Sequence, residues 1–463
     1  MSNIQKTLSP VDGSVYVERA LAEAAHIEQT LAAAHQAQQP WAAMSIPERA
    51  ALLHRWVDCL LAHREEILPE LSWQMGRPLA AAPAELGGFE ERARHMLDIA
   101  GDALADLQVG VKPGFQRFIR RVPLGVVFTV APWNYPYLTA VNSIVPALMA
   151  GNTVILKHSA QTPLCAERLD QAALEAGLPE GVFQILHLSH DDTARVIADG
   201  RIGFVAFTGS VAGGRAVQAA AAGRFIGQGL ELGGKDPAYV RHDADLAHAV
   251  ENLTDGAFFN SGQSCCGIER IYVHRSLYER FVEGMVETVK QYRLGNPLDP
   301  DTNLGPMVRT SAATLVRQHI AEAVSRGARA LIEPSGFPAH RVDSPYQAPQ
   351  VLVDVDHGMQ VMREESFGPV VGIMAVDSDA QAVDLMNDSD FGLTACVWSR
   401  DEAAAIQIGD ALHTGTVFMN RCDYLDPALA WVGVKHSGRG CTLSRVGYEH
   451  LTRAKSFHLR TAT

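Results

Sequence analysis

No charged residue occurs between Arg121 and Lys157, and that span sets the strongest limit on how the chain can fold. So long an uncharged stretch could cross a bilayer as one helix. It is broken, however, by Pro123, Pro132, Pro136 and Pro146, and by Asn134, Asn142 and Asn152. Each internal proline removes a helical hydrogen bond and kinks or ends the helix. The expectation is therefore several buried strands and short helices of an α/β core, because strands covered on both faces read as continuous apolar runs. No membrane association is expected.

The flanking sequence agrees. Residues 18–108 read as mostly helical, with apolar positions at three- and four-residue spacing. From about Arg117, short strand-like runs (125–130, 153–156, 183–186, 203–207) alternate with helical segments (160–176, 191–199), the pattern of a doubly wound parallel sheet. A second series follows Glu231, with strands at 270–273, 350–353 and 370–374 and helices at 277–292 and 311–326. Residues 454–460 alternate like an exposed edge strand, which invites pairing with another subunit.

At 463 residues more than one domain is expected. A net charge of -13 argues against a nucleic-acid partner, which would need a basic footprint. The seven cysteines are odd in number and scattered, so they form no disulfide framework. With no secretory pattern in MSNIQKTLSP, a reducing cytoplasm is the expected compartment. Neither C-x-x-C nor H-E-x-x-H occurs, and no metal site is expected.

Six local patterns carry chemistry. Phe259-Asn260-Ser261-Gly262-Gln263-Ser264-Cys265-Cys266 presents two thiols in a turn, and Glu231-Leu232-Gly233-Gly234 a carboxylate in another. Together they outline a nucleophile and a base, although a cysteine in such a turn is more often buried structure. Thr208-Gly209-Ser210 leads from a strand into a helix, either as an anion site or as a plain N-cap by Ser210. Lys157 ends a strand, where ligands of open α/β sheets bind; the alternative is a solvated lysine. In Pro132-Trp133-Asn134-Tyr135-Pro136, Asn134 is either an amide donor to an oxyanion or a turn residue held by its own backbone. Arg363-Glu364-Glu365-Ser366-Phe367-Gly368-Pro369 reads by default as a solvated charge run.

In their order and spacing these six patterns resemble the aldehyde dehydrogenase superfamily, and the likeness runs from about residue 8 to 460. It implies an α/β fold with a Rossmann-like cofactor domain (1–104 and 124–235), an α/β catalytic domain (236–444) and a β oligomerisation arm (105–123 and 445–463) giving homodimers or homotetramers. It selects Cys265 over Cys266 as nucleophile toward a small-molecule aldehyde. Asn134 and the Cys265 N–H would hold the oxyanion, and Glu231 would activate the water that releases the acid. NAD or NADP, with NAD favoured, would be bound by Trp133, Lys157, Gly209, Ser210, Glu365 and Phe367. Tyr135, Leu138, Phe259 and Trp431, with Thr139 and Asn142, would line the substrate tunnel.

Two positions depart from the family pattern. Ala160 stands where many NAD-preferring members have a ribose-binding glutamate, which leaves NADP open. Thr442 stands where the family has a second glutamate, which places the weight of base catalysis on Glu231. Two alternatives remain at this stage: an enzyme that passes the acyl group to coenzyme A, and a non-catalytic relative. Arg421 and Arg439 are candidates for binding a substrate carboxylate, with a surface role favoured for both.

Overall fold

The computed structural model describes residues 4–461, so the outermost ends of the spans 1–104 and 445–463 lie outside the described residues. The charge-free span forms the strand Val126–Val130, the helix Pro136–Met149 and the strand Thr153–Lys157. Every residue of both strands is buried, which accounts for their unbroken apolar character. They belong to a six-stranded sheet ordered Gly438–Arg439, Gly227–Glu231, Ile202–Thr208, Val126–Val130, Thr153–Lys157, Phe183–Ile185. All neighbours are parallel except the first pair. The chain builds outward from Val126–Val130 on one side, then returns to add Ile202–Thr208 on the other. That reversal opens a crevice at the carboxyl ends of these two strands, and the loops 131–135 and 208–210 lead out of it.

A seven-stranded sheet follows, ordered Arg329–Ala330, Gln350–Val353, Val370–Val376, Ile268–His274, Asp236–Val240, Thr394–Trp398, Thr416–Met419. It is parallel throughout save for Arg329–Ala330. The link from the first sheet to the second is short: Gly227–Glu231 ends at Glu231, and Asp236–Val240 begins five residues on. Residues 232–235 therefore tie the carboxyl edge of one sheet to the amino edge of the other. Conversely, Gly438–Arg439 returns from the later sequence to pair with Leu230 and Glu231.

The helical expectation for 18–108 needs correction at its ends. Val15–Ala20 is a strand paired with Ile4–Leu8, and helix begins only at Ala24. Alternating Val15, Val17 and Arg19 after the left-handed Gly13 (φ 80) favour a hairpin. Leu107–Gln108 is likewise a strand. Between them lie Ala24–Ala43, Ile46–Ala62, Arg64–Met75 and Pro83–Ala103. Ile46–Ala62 starts with a Ser45–Glu48 capping box. Pro83–Ala103 buries Leu86, Phe89, Ala93, Met96 and Ala100, an apolar stripe at helical spacing.

The C-terminal segment is the expected edge strand: Thr452–Arg460 pairs antiparallel with Phe115–Pro123 along its whole length. Phe118 and Phe457 stack across the pair at 4.5 Å. Among the described residues no helix is long and apolar enough to cross a membrane.

Asn152 fastens the arm to the first sheet. Its Oδ1 accepts from the N–H groups of Leu124 and Gly125, and its Nδ2 donates to the carbonyls of Ala147 and Leu451. Asn152→Ala leaves these buried groups unpaired and should cost about 2–4 kcal/mol, read as a lower thermal unfolding midpoint.

Candidate active site

Cys265 leaves a turn whose backbone is held far from its preferred conformation. Asn260 (φ 53), Ser261 (φ 57) and Gly262 (φ 70) are successively left-handed, a costly arrangement that persists only where surroundings enforce it. Asn260 donates to the carbonyls of Asn134 and Gln263, and Ser261 Oγ donates to Gly305 O at 2.7 Å. Gln263 accepts from Val308 N–H at 2.8 Å and donates to Asn260 O. Gly262 is required sterically as well, since a Cβ there would lie 2.3 Å from Gly368 O. A Cβ on Gly234 would lie 2.2 Å from Cys265 O, so the turn after Glu231 packs directly against the thiol-bearing turn.

The two thiols differ sharply. Cys266 is 2% exposed and its Sγ donates to Asp423 Oδ1. A hydrogen bond with the Cys265 thiol, together with burial, pushes the Cys266 thiol well above the usual range, which keeps it protonated and unreactive. Cys265 is only partly buried and faces open space.

Asn134 is set in place by a buried ion pair. Arg77 (1% exposed) pairs with Glu85 (0% exposed). Arg77 also donates to Asn134 O and to Asn260 Oδ1, and its guanidinium lies over the Tyr135 ring at 4.6 Å. Glu85 accepts from the N–H groups of Tyr137 (2.9 Å) and Leu138 (3.0 Å), the first turn of a helix, where a carboxylate is favoured. With its backbone so fixed, Asn134 donates Nδ2 to Gln263 O at 3.1 Å, which holds its amide beside the Cys265 turn.

Glu231 ends its strand with both carboxylate oxygens engaged: Thr442 Oγ1 donates to Oε1, and Thr208 Oγ1 to Oε2 at 3.0 Å. Burial raises its pKa, opposed by the two threonine bonds and by Arg92. A raised carboxyl pKa suits a general base near neutral pH.

A dinucleotide fits the crevice on three observations. Lys157 is 8% exposed, its pKa is lowered by burial, and no described residue accepts from its ammonium, so an acceptor-rich ligand would satisfy it. Ser210 Oγ accepts from Gly213 N–H, the plain N-cap, yet Gly209 and Ser210 also line the cavity. The helix Val211–Ala220 keeps free N–H groups in its first turn for an anion. Glu365 is no solvated charge run either: it accepts from Gly234 N–H, while Glu269 accepts from the N–H groups of Ser366 and Phe367 and pairs with buried Lys235. Phe367 meets Trp133 edge to face at 5.8 Å.

Two cavities of about 380 and 350 Å³ meet at this point. One holds Trp133, Asn134, Gly209, Ser210, Glu365 and Phe367; the other holds Tyr135, Leu138, Asn142, Phe259 and Trp431. Thr139, Glu231 and Cys265 belong to both. A redox cofactor and a small molecule can thus reach the same thiol from opposite sides. Lys157 lies apart, at the end of its strand. Arg421 stacks on Tyr424 and Arg439 borders a surface groove, and neither lines the substrate-side cavity. The cation that does is Arg92, held by Leu138 O and Asn142 Oδ1. Arg92, Arg77, Glu85 and Asp423 were not singled out in the sequence. For Glu85 and Arg92 the nearest signal was a run of charges in an apolar-faced helix, whereas Arg77 and Asp423 lie in loops that carried none.

Burial and Glu269 raise the Glu365 carboxyl to about 7 from its ordinary 4.5. Between these values the folded protein keeps a proton that the unfolded chain has released, so Glu365 weakens folding as pH rises through that window. Glu365→Gln removes the effect. In cofactor-free protein its thermal midpoint should gain on the parent's from about pH 5 to about pH 8; a constant difference would contradict this.

Comparison with known proteins agrees with the geometry. The family model described as the aldehyde dehydrogenase family matches residues 2–457. Succinate-semialdehyde dehydrogenase (NADP+) 1 of Mycobacterium tuberculosis is 33% identical, over 97% of this chain and 98% of that protein. A solved NAD-dependent aldehyde dehydrogenase from Sinorhizobium meliloti superposes with a TM-score of 0.95 at 32% identity, covering 99% of this chain and 92% of the other. Succinic semialdehyde dehydrogenase from Streptococcus pyogenes, solved with NADP+, superposes at 0.94 with 28% identity, covering 98% and 100%. Relatives of both cofactor types share the fold, and either nucleotide fits the crevice. The chain belongs to the aldehyde dehydrogenase family and oxidises aldehydes with a nicotinamide dinucleotide.

Proposed function

We propose that Cys265 is the nucleophile of this oxidation, that Asn134 and the Cys265 N–H stabilise the oxyanion, and that Glu231 is the base for hydrolysis. The observation carrying this reading is that Cys265 and Glu231 both lie where the two cavities meet. The Cys265 thiolate adds to the aldehyde carbon, and negative charge gathers on the former carbonyl oxygen. Fixed donors aimed at that oxygen lower the barrier, each worth about 10²–10³ in rate. The bound nicotinamide supplies an acceptor for the hydrogen and electron pair that leave this carbon. The product is a thioester on Cys265, and Glu231 takes a proton from the water that attacks it, freeing the carboxylic acid.

Trp133, Gly209, Ser210, Glu365 and Phe367 would hold the dinucleotide near the thiol, with Lys157 at its adenosine end. Ala160 presents no carboxylate there; its carbonyl instead accepts from Thr7 Oγ1 and Gln5 Nε2, which supports use of NADP as well as NAD. The substrate-side cavity sets one guanidinium, Arg92, against Glu91, Asp255 and Asp423. That balance supports a small polar aldehyde and does not single out a semialdehyde such as the named relatives use.

Reduced-cofactor absorbance over a panel of aliphatic, aromatic and semialdehyde substrates, with NAD and NADP, tests the function. Cys265→Ala should abolish all turnover, while Cys266→Ala should retain it. Turnover by the Cys265 variant would overturn the assignment.

The three-stranded arm leaves Thr452–Arg460 as an edge, which supports assembly into homodimers or homotetramers. Deleting residues 452–463 should give monomers by light scattering, whereas the full chain should not be monomeric.

A further inference from the structure

His319 lies in the helix Thr310–Ser325, which walls the cofactor side: Ser311, Ala312 and Leu315 of that helix line the cavity together with Glu365, Ser366 and Phe367. The histidine itself is 1% exposed and lines neither active-site cavity. Its ring reaches the loop that carries Glu365, with Nδ1 3.0 Å from Ser366 Oγ. A third group fixes the direction of that bond. Lys235, ion-paired with Glu269, donates to Ser366 Oγ at 3.3 Å, and an ammonium cannot accept. The Ser366 hydroxyl therefore gives its one hydrogen to Nδ1. Nδ1 is the bare nitrogen, and the proton of the neutral ring sits on Nε2. Nε2 has no hydrogen-bond partner among the described residues, and Glu364 Oε2 lies 3.8 Å away. The loop needs such a hold, because Phe367 has φ 47, a strained conformation for a bulky residue. Glu269 grips the backbone N–H groups of Ser366 and Phe367 from the strand Ile268–His274. His319 grips the Ser366 side chain from the helix.

We infer that neutral His319 is a positioning residue for the dinucleotide: it holds Ser366, and through it Glu365 and Phe367, at the cofactor cavity, and its protonation releases that hold. The inference rests on the reading of Glu365 and Phe367 as cofactor contacts. A proton on Nδ1 turns the acceptor into a donor, so the Ser366 hydroxyl loses the group that takes its hydrogen. Two cations, His319 and Lys235, then face one oxygen. The charged groups around the ring are Lys235 from the link between the sheets, Glu269 from the second sheet, Glu364 from the loop and Glu322 from its own helix. Burial and Lys235 hold the ring below its ordinary 6.5, against the pull of the three glutamates. Once protonated, the ring is drawn toward Glu364, which belongs to the very loop being held. Dinucleotide affinity should accordingly fall on the acid side of neutrality.

Equilibrium binding, followed by the fluorescence of NADH and of NADPH in a parallel series, tests this without turnover. At about pH 8, His319→Ala should raise the Kd about fivefold, the scale of one buried hydrogen bond. Ser366→Ala breaks the same bond from the loop side and should do likewise. His319→Asn keeps an acceptor near the Nδ1 position and cannot take up a proton, so it should bind like the parent at about pH 8. On going to about pH 5 the parent should weaken about fivefold relative to His319→Asn, because protonation costs it the same bond. Titration of Glu365 is common to both proteins and cancels in that ratio, which a merely structural histidine would leave constant. Parent-like binding by His319→Ala overturns the inference. So does a ratio that does not change with pH, or binding by His319→Asn as weak as by His319→Ala. Glu365→Ala separates the two readings: if it binds dinucleotide like the parent, the loop is no cofactor contact; if it binds weakly while His319→Ala does not, only the role of His319 fails.

Discussion

Two buried ion pairs position the site, and each does so through backbone N–H groups. Glu85, paired with Arg77, accepts from Tyr137 and Leu138 beside the first sheet. Glu269, paired with Lys235, accepts from Ser366 and Phe367 beside the second. Burying such charges is expensive, and the mutual attraction of a pair does not reliably repay it. Extra hydrogen bonds shift that balance, and here they come from the loops that bear function. Arg77 further binds Asn134 O and Asn260 Oδ1, joining the amide-bearing loop to the turn that presents Cys265.

Several strained features become intelligible from these anchors. Asn260, Ser261 and Phe367 all have positive φ, and each is gripped by a buried side chain or carbonyl. The strain is local while the bonds that maintain it reach across 44, 98 and 183 residues of sequence, so the geometry of Cys265 depends on distant parts of the chain being in place. The crevice between Val126–Val130 and Ile202–Thr208 then supplies the cofactor side, and the helices Pro83–Ala103 and Pro136–Met149 wall the substrate side. Cys265 and Glu231 stand where the two spaces join.

Much of this was legible in the sequence. The buried strands announced themselves as apolar runs, and five of the six patterns marked loops that line the two cavities, with Lys157 standing apart. The resemblance they form chose Cys265 over Cys266, and the burial of Cys266 against Asp423 gives that choice a physical cause. The N-terminal hairpin was missed because its strands are short and half exposed. Glu85 was missed because Ala-Glu-Leu in a helix looks like any solvated glutamate; its burial shows only in the folded contacts with Arg77 and with the N–H groups of Tyr137 and Leu138. Glu269 was more readable, since Glu269-Arg270 interrupts an otherwise apolar strand, and paired charges there need partners.

The most direct test of the central claim is peptide mapping by mass spectrometry of the Glu231→Gln protein after reaction with an aldehyde and oxidised dinucleotide. If Cys265 is the thiol at the junction and Glu231 frees it, the acyl group should accumulate on Cys265. An acyl group on Cys266, or none on either thiol while oxidation proceeds, would contradict the account.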